Sequence, residues 1–365
     1  MISVSKSLGK IRAQDNGEKS CMNKYKLYPL VSSLILLGVL SLAISACSPY
    51  SSQETASLES KRELVQRLQG NLSKPVYARV QQMPADLLKA TQEYDRSIGI
   101  DHTGQYAART PTADELALIK SYFELLPGAH QSVFSKKLLA VYLVDGFAGA
   151  GLTEWLVDRE GQVCYYMILN SSLLTKSLDD WLTYKENSQF GNSSASPAIR
   201  VQSKTHYKAL LYGLLHEGAH VVDYELGFAP YFDELHRKLT HRERETTEFT
   251  QGVWLQRLKP VAQYDFKHRE EINLYGIFAK MGLIPRSELS VMFSQLTKTP
   301  FVSFYSGTSW NEDLADYLTY QYIETKLGGS VTVELIQDGK IIARYEPVKT
   351  PLAKQRVKAV RGFYD

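Results

Sequence analysis

Between Ser203 and Gly227 the chain reads SKTHYKALLYGLLHEGAHVVDYELG, a run with helical periodicity that is apolar nearly all the way round. A helix without a polar face belongs in an interior, so the rest of the chain has to surround it. Ser203 is placed to cap its start, and Gly227 to stop it. Inside this run stand His216, Glu217 and His220, and most of what the chain can do depends on how they are used.

There is enough chain to enclose such a helix. The sequence has 365 residues, 44% hydrophobic and 22% charged, the profile of a globular protein. At this size roughly three quarters of the unfolded surface is buried, which fits one large domain or two unequal ones.

The first residues stand apart from that core. Residues 27–46, LYPLVSSLILLGVLSLAISA, form an uncharged apolar stretch preceded by Lys24 and Lys26 and followed by Cys47. This reads as a secretory signal, with Met22 as its expected start. The tetrapeptide Ile44, Ser45, Ala46, Cys47 resembles the lipobox of bacterial lipoproteins, which implies a lipid on the Cys47 thiol. A retained membrane span is the competing reading, because about 20 apolar residues suffice to cross a bilayer. The small residues before the cysteine and the polar SPYSSQETAS after it favour cleavage. Ser48 is not the aspartate that holds lipoproteins in an inner membrane. The expected location is therefore the envelope of a Gram-negative bacterium, on the outer membrane and facing the periplasm.

Without residues 1–46 the chain keeps 36 basic and 37 acidic residues, a formal charge of −1. No basic surplus remains to recruit nucleic acid. Of the three cysteines, Cys21 leaves with the signal and Cys47 carries lipid, so Cys164 stands alone; this excludes an intramolecular disulfide and a cysteine-ligated zinc ribbon.

Residues 48–57, rich in serine, are expected to form a flexible tether. Helical patterns follow: ASLESKRELVQRLQG stopping at Gly70, MPADLLKATQEYDRSIG opening at Pro84, and a helix opened by the Thr112/Glu115 capping-box pair and closed near Pro127 and Gly128. From Leu138 the texture changes to strands, LLAVYLVDG and then TEWLVDREGQVCYYMILN as two strands around an Arg-Glu-Gly turn. Ser177 leads a helix, LDDWLTYKE, and a serine-rich loop covers 187–197. Late in the chain a helix enters near Ser309 and leaves at Gly328, and SVTVELIQDGKIIARYEP reads as a hairpin turning at Asp338 and Gly339. The expected organisation is a leader over 1–47, a tether over 48–57, a helical region over 58–135, a catalytic part over 136–330 and a hairpin with a tail over 331–365.

Positions four apart on a helix share a face, about 6 Å apart along the axis, so His216 and His220 can converge on one ion. Zinc suits two neutral imidazoles, and three protein ligands leave a position for water, whose pKa falls to about 7. Glu217 lies beside such an ion, where a general base belongs. The competing reading is two hydrogen-bonded histidines and a solvated glutamate. A third histidine six residues after the second is absent, because that position is Leu226, and Asp223 stands where the accompanying glycine would be. The alternative donor pair is Glu312 and Asp316 in NEDLAD, four apart on the late helix. One carboxylate of such a pair can ligate while the other accepts a ligating histidine's free ring N–H.

Taken together, the two segments resemble the gluzincin metallopeptidases, which pair His-Glu-x-x-His on one helix with Glu-x-x-x-Asp or Glu-x-x-x-Glu on a later one. The resemblance covers roughly residues 138–328 and implies a zincin-like α+β fold, mostly helical, with a small mixed sheet packed on the active-site helix. It implies one zinc ion held by His216, His220 and Glu312, with Glu217 as base and Asp316 orienting a histidine. FVSFYSGTSWNEDLAD is also similar to the corresponding segment of the lethal factor and Pro-Pro endopeptidase group. That likeness implies that Tyr305, seven residues before Glu312, donates to the oxyanion. This sequence has Asp316 where glutamate is usual, and a long gap between the two motifs.

The implied activity is hydrolysis of a peptide or protein substrate; the other class open to the chain is a noncatalytic envelope lipoprotein that uses the fold for partner binding. CYYMILN is the expected edge strand that pairs with extended substrate. His206, His236, His241 and His268 are expected at the surface or as caps.

Overall fold

The computed structural model describes residues 50–100, 103–191, 196–242, 246–273, 275 and 282–364; Cys47 and the apolar stretch before it lie outside the described residues. Among the described residues, no helix is long and apolar enough to cross a membrane.

In chain order the elements are α1 (Ser52–Leu68), β1 (Val80–Gln81), α2 (Ala85–Ser97), β2 (Ala107–Arg109), α3 (Ala113–Phe123), α4 (Gly128–Lys137), β3 (Leu138–Asp145), β4 (Gly151–Val157) and β5 (Val163–Asn170). There follow α5 (Leu178–Asn187), β6 (Ala198–Gln202), α6 (Leu210–Leu226), α7 (Glu234–Thr240), β7 (Trp254–Gln256), β8 (Lys259–Pro260), α8 (Leu289–Leu296), α9 (Trp310–Thr325), β9 (Thr332–Gln337), β10 (Lys340–Tyr345) and α10 (Pro351–Gln355). The fold is α+β: helices and small sheets, with mixed rather than alternating order.

The main sheet has five strands in the order β1-β3-β5-β4, with β2 also pairing β3. β3 runs parallel to β1 and β5, whereas β4 returns antiparallel beside β5. Both faces are covered. Trp155, Tyr165, Met167 and Leu169 join the core that contains α6, while Tyr142, Leu156, Tyr166 and Ile168 pack with Leu64, Val65, Met83 and Leu87. Two-sided burial is why β3 and β5 read as unbroken apolar runs. α6 is enclosed as its composition requires, with twelve of its residues buried.

Several boundaries differ from the sequence reading. CYYMILN forms most of β5, which lies between β3 and β4, so among the described residues the edge on this side of the sheet is β4, with β1 and β2 at the opposite edge. The β4–β5 hairpin folds back beside β5, and the parallel ladder to β3 takes the other side of β5.

α6 begins at Leu210, not at Ser203, which is fully buried and has its N–H and hydroxyl bound by Asp179. The residues just before Ser203 form β6, a third strand added to the C-terminal hairpin through β9. That hairpin turns where expected, with Asp338 at φ 51° and Gly339 at φ 76°.

The tether is shorter than its composition suggests. A capping box between Ser51 and Glu54 starts α1 at Ser52, and one reciprocal cap outweighs the serine content. Pro127 and Gly128 begin α4 rather than end α3, which stops at Phe123. His206 is exposed, but His236 is 1% exposed and packed among Trp155, Tyr224 and Tyr231, and neither of its ring nitrogens has a hydrogen-bond partner among the described residues, so it is neither at the surface nor a side-chain cap as expected. His241 and His268 adopt left-handed conformations at φ 54° and 59°.

α6 approaches α4 through Gly218, where a Cβ would stand 2.3 Å from His130 Cδ2 and 2.8 Å from Phe134 Cζ. His130 is itself fully buried, with Nε2 3.2 Å from the Leu215 carbonyl, so it has little room to yield. Gly218→Ala is therefore expected to destabilise the protein by about 1–3 kcal/mol, more than the ~0.5–1 kcal/mol that alanine gains within a helix. Urea unfolding of the two proteins measures it; an unchanged or higher midpoint would mean the α4–α6 contact is not close.

Candidate metal centre

The site is built where α6 crosses α9. His216 and His220, one turn apart on α6, present ring centroids 5.1 Å apart at an interplanar angle of 86°. Gly227 ends α6 in the left-handed conformation at φ 71°, returning its N–H to the Asp223 carbonyl at 2.8 Å. Across from them, Ser309 caps α9 by accepting from the Glu312 N–H, which fixes Glu312 in the first turn. A single Glu312 oxygen, Oε2, lies 3.1 Å from His216 Nε2 and 3.5 Å from His220 Nε2. One donor atom from each of these three residues falls within 4.8 Å of the others, an arrangement that can hold a metal ion.

Asp316, one turn further along α9, lies behind His216. Its carboxylate is completely buried and accepts from four donors: His216 Nδ1 at 2.9 Å, Tyr212 hydroxyl at 2.8 Å, Ser303 Oγ at 2.5 Å, and Lys185 Nζ. With Nδ1–H donated to Asp316, the other ring nitrogen of His216 points at Glu312, the orientation a metal ligand needs. The shorter side chain of aspartate reaches the ring at this crossing.

Electrostatics follow from this packing. Burial disfavours charge on His216, but the hydrogen bonds it donates to Asp316 and Glu312 outweigh that and hold the ring up to about 10. Burial likewise opposes ionisation of Glu312, yet the two imidazoles keep its carboxyl well below the usual range. Asp316 is held low against its own burial by Lys185 and His216. His216 thus lies between two carboxylates that favour its charged form, so positive charge on this ring stands where a cation would be.

Glu217 leaves α6 toward β4. Thr153 Oγ1 donates to its backbone carbonyl at 2.9 Å and its Oε2 at 3.1 Å. Burial raises the Glu217 carboxyl above its ordinary value, against the pull of His216 and His220. The strand passes beneath it at Gly151, where a Cβ would lie 2.8 Å from Glu217 Cγ and 2.5 Å from the Ile168 carbonyl. Only glycine fits there without moving the strand.

Tyr305, in a short turn before α9, stacks its ring on His216 at 5.9 Å and 28°. Burial and the nearby Glu312 and Glu217 hold its phenol well above the ordinary range, so it stays a donor.

The free edge of β4 has a definite pattern. Asn170 N–H donates to Ala150 carbonyl, and Asp158 N–H to Gln162 carbonyl, so even-numbered residues of β4 bond to β5. Backbone groups of Gly151, Thr153 and Trp155 then face outward. Lys61 of α1 donates to the Trp155 carbonyl at 2.7 Å and pairs with Glu154. Leu58 packs with the α6 side of the sheet, and Leu64 and Val65 with the other side. α1 therefore crosses the edge at Trp155 and, among the described residues, leaves the backbone of Gly151 and Thr153 without a strand partner on that side, beside Glu217.

All of His216, Glu217, His220, Tyr305, Glu312 and Asp316 meet in one place, and Cys47 is outside the described residues. Sequence reasoning missed Thr153, Lys185, Tyr212 and Ser303. Tyr212, four residues before His216, was readable as sharing its helix face. Nothing local marks Lys185 of α5, which is 0% exposed, or Ser303 as neighbours of Asp316. No protein-family model matches the chain, and no curated protein or solved structure does.

Removing one partner of a buried ion pair strands the other. Asp316→Asn leaves Lys185 with the Tyr212 hydroxyl at 3.3 Å and, as the one ion-pair partner among the described residues, Glu186 at 3.7 Å, and is expected to cost about 3–5 kcal/mol. The double variant Lys185→Met/Asp316→Asn should recover much of that loss. A double-mutant cycle by chemical denaturation measures the coupling, and additive losses would show that the pair does not act as a unit.

Proposed function

We propose that this chain is a zinc-dependent peptidase of the gluzincin type with a zincin-like fold, anchored in a bacterial envelope through lipid on Cys47. The observation that carries the reading is the meeting of His216 and His220 with Glu312, 96 and 92 positions later, while Glu217 stands beside them and Asp316 orients the ring of His216. Ligands at about 2.0–2.1 Å from a tetrahedral zinc lie roughly 3.3 Å apart. The observed separations of 3.1 and 3.5 Å bracket that value, and two imidazoles with one carboxylate are a donor set that zinc accepts.

When bound, zinc would supply a Lewis acid that acidifies water and polarises a carbonyl. In this reading, the chain's own residues do the rest. Glu217, buried and raised in pKa, takes a proton from the attacking water and returns it to the amine nitrogen as the amide C–N bond breaks. Tyr305, kept protonated, donates a hydrogen bond to the carbonyl oxygen as negative charge gathers on it. Gly151 and Thr153 offer outward backbone groups to an extended peptide, which adds as a strand to β4. The overall exchange is water and an amide for a carboxylic acid and an amine.

Purified Glu217→Gln is expected to retain about one zinc per chain by elemental analysis and to lose peptide cleavage by roughly 10²–10⁴-fold. Glu312→Ala and His220→Ala are expected to lose the metal itself. Full cleavage by Glu217→Gln would remove Glu217 from the chemistry. Native protein purified without zinc, and unable to take it up, would instead favour the noncatalytic envelope lipoprotein.

A further inference from the structure

The β7–β8 ribbon turns at Arg257 and Leu258, and its tip is fastened to the first turn of α9 at three points. Trp254 Nε1 donates to Asp313 Oδ2 at 2.8 Å, Trp310 N–H donates to the Arg257 carbonyl at 3.1 Å, and Arg257 Nε donates to Asn311 Oδ1 at 3.3 Å. Asn311 precedes the candidate ligand Glu312, so this anchoring sets the guanidinium beside the triad. On its other side the guanidinium carbon lies 3.8 Å from the centre of the Phe232 ring. Phe232 in turn packs at 6.3 Å against Tyr224, one helical turn beyond His220.

The side chain is held, yet it is not used up. A guanidinium carries five N–H donors, and among the described residues only Nε has a hydrogen bond. Arg257 is partly exposed, forms no ion pair among the described residues, and its two terminal nitrogens are not sealed from solvent. The nearby acids are engaged elsewhere: Glu312 with both histidines, and Asp233 with Trp155 Nε1 and the His236 N–H. A rigid cationic fork with a free face, stacked on an aromatic ring beside the triad, matches a carboxylate in shape and charge.

We propose that Arg257 is a recognition site for a carboxylate of the substrate, held in bidentate fashion next to the bond that is cut. The carboxylate is either the free C-terminus of a peptide or the side chain of an aspartate or glutamate close to that bond. The proposal rests on the peptidase reading, and the experiment separates the two.

A defined peptide mixture is digested by the zinc-loaded protein in three forms: with native carboxylates, with all carboxylates methyl-esterified, and as synthetic C-terminal amides that retain Asp and Glu. Binding of the same peptides to the Glu217→Gln variant is measured by calorimetry. The expected result is a preference for native over esterified peptides of roughly ten- to a hundredfold, the range for a charge-assisted hydrogen-bonded pair. The preference should collapse toward unity in Arg257→Ala and be partly restored in Arg257→Lys, which keeps the charge but loses the fork. Amides cleaved like native peptides would assign the side-chain carboxylate; amides cleaved like esters would assign the C-terminus. A preference that survives in Arg257→Ala, or no preference in the wild type, overturns the proposal while leaving the peptidase reading intact. No cleavage in any form, with no peptide bound, overturns both.

Discussion

A carboxylate with no exposure to water organises the centre of this molecule. Taking Asp316 out of water costs several kcal/mol, and the cost is offset only with all four donors in place. Those donors come from α5, from two turns of α6, and from the turn that carries Ser303. If any of these elements shifts, a charge is stranded. Asp316 thus fixes the relative register of three helices and orients the His216 ring, and through that ring the face that could meet a metal.

The sheet contributes the opposite wall. α6 can come close to its neighbours because Gly213 and Gly218 have no side chains; a Cβ on Gly213 would stand 2.6 Å from Leu173 Cδ1. Gly151 plays the same part on β4, letting the strand pass under Glu217. Close packing then links function to burial: Glu217 sits where desolvation raises its carboxyl, and the free strand edge that could align a peptide runs alongside. α1 crosses that edge at Trp155, so the accessible length is set by a helix far away in sequence.

Much of the candidate site was legible because it obeys local rules. His216 and His220 converge through helical spacing alone, the start of α9 follows from Ser309, and the hairpin turn from Asp338 and Gly339. The errors arose where pairing partners decide. Val163–Asn170 has the same apolar texture whether it is an edge or a centre, and only the ladders to β3 and β4 settle which. Ser203 is a plausible cap until β6 takes the residues before it into a sheet with β9. His236 looked like a surface residue because nothing nearby in sequence announces the aromatic rings of Trp155, Tyr224 and Tyr231 that enclose it.

What the sequence by itself determined is the interior helix, its two imidazoles on one face with Glu217 between them, and the carboxylate pair on a second helix; these rest on a repeat of 3.6 residues and on capping chemistry, both of which act within a few positions. The tertiary structure alone decided which strand is left open, that Lys185 and Ser303 complete Asp316, and that Arg257 is fastened beside Glu312. Those relations join residues far apart in the chain, and they exist only because burial forces each charge and hydrogen-bonding group to find its partner across the core.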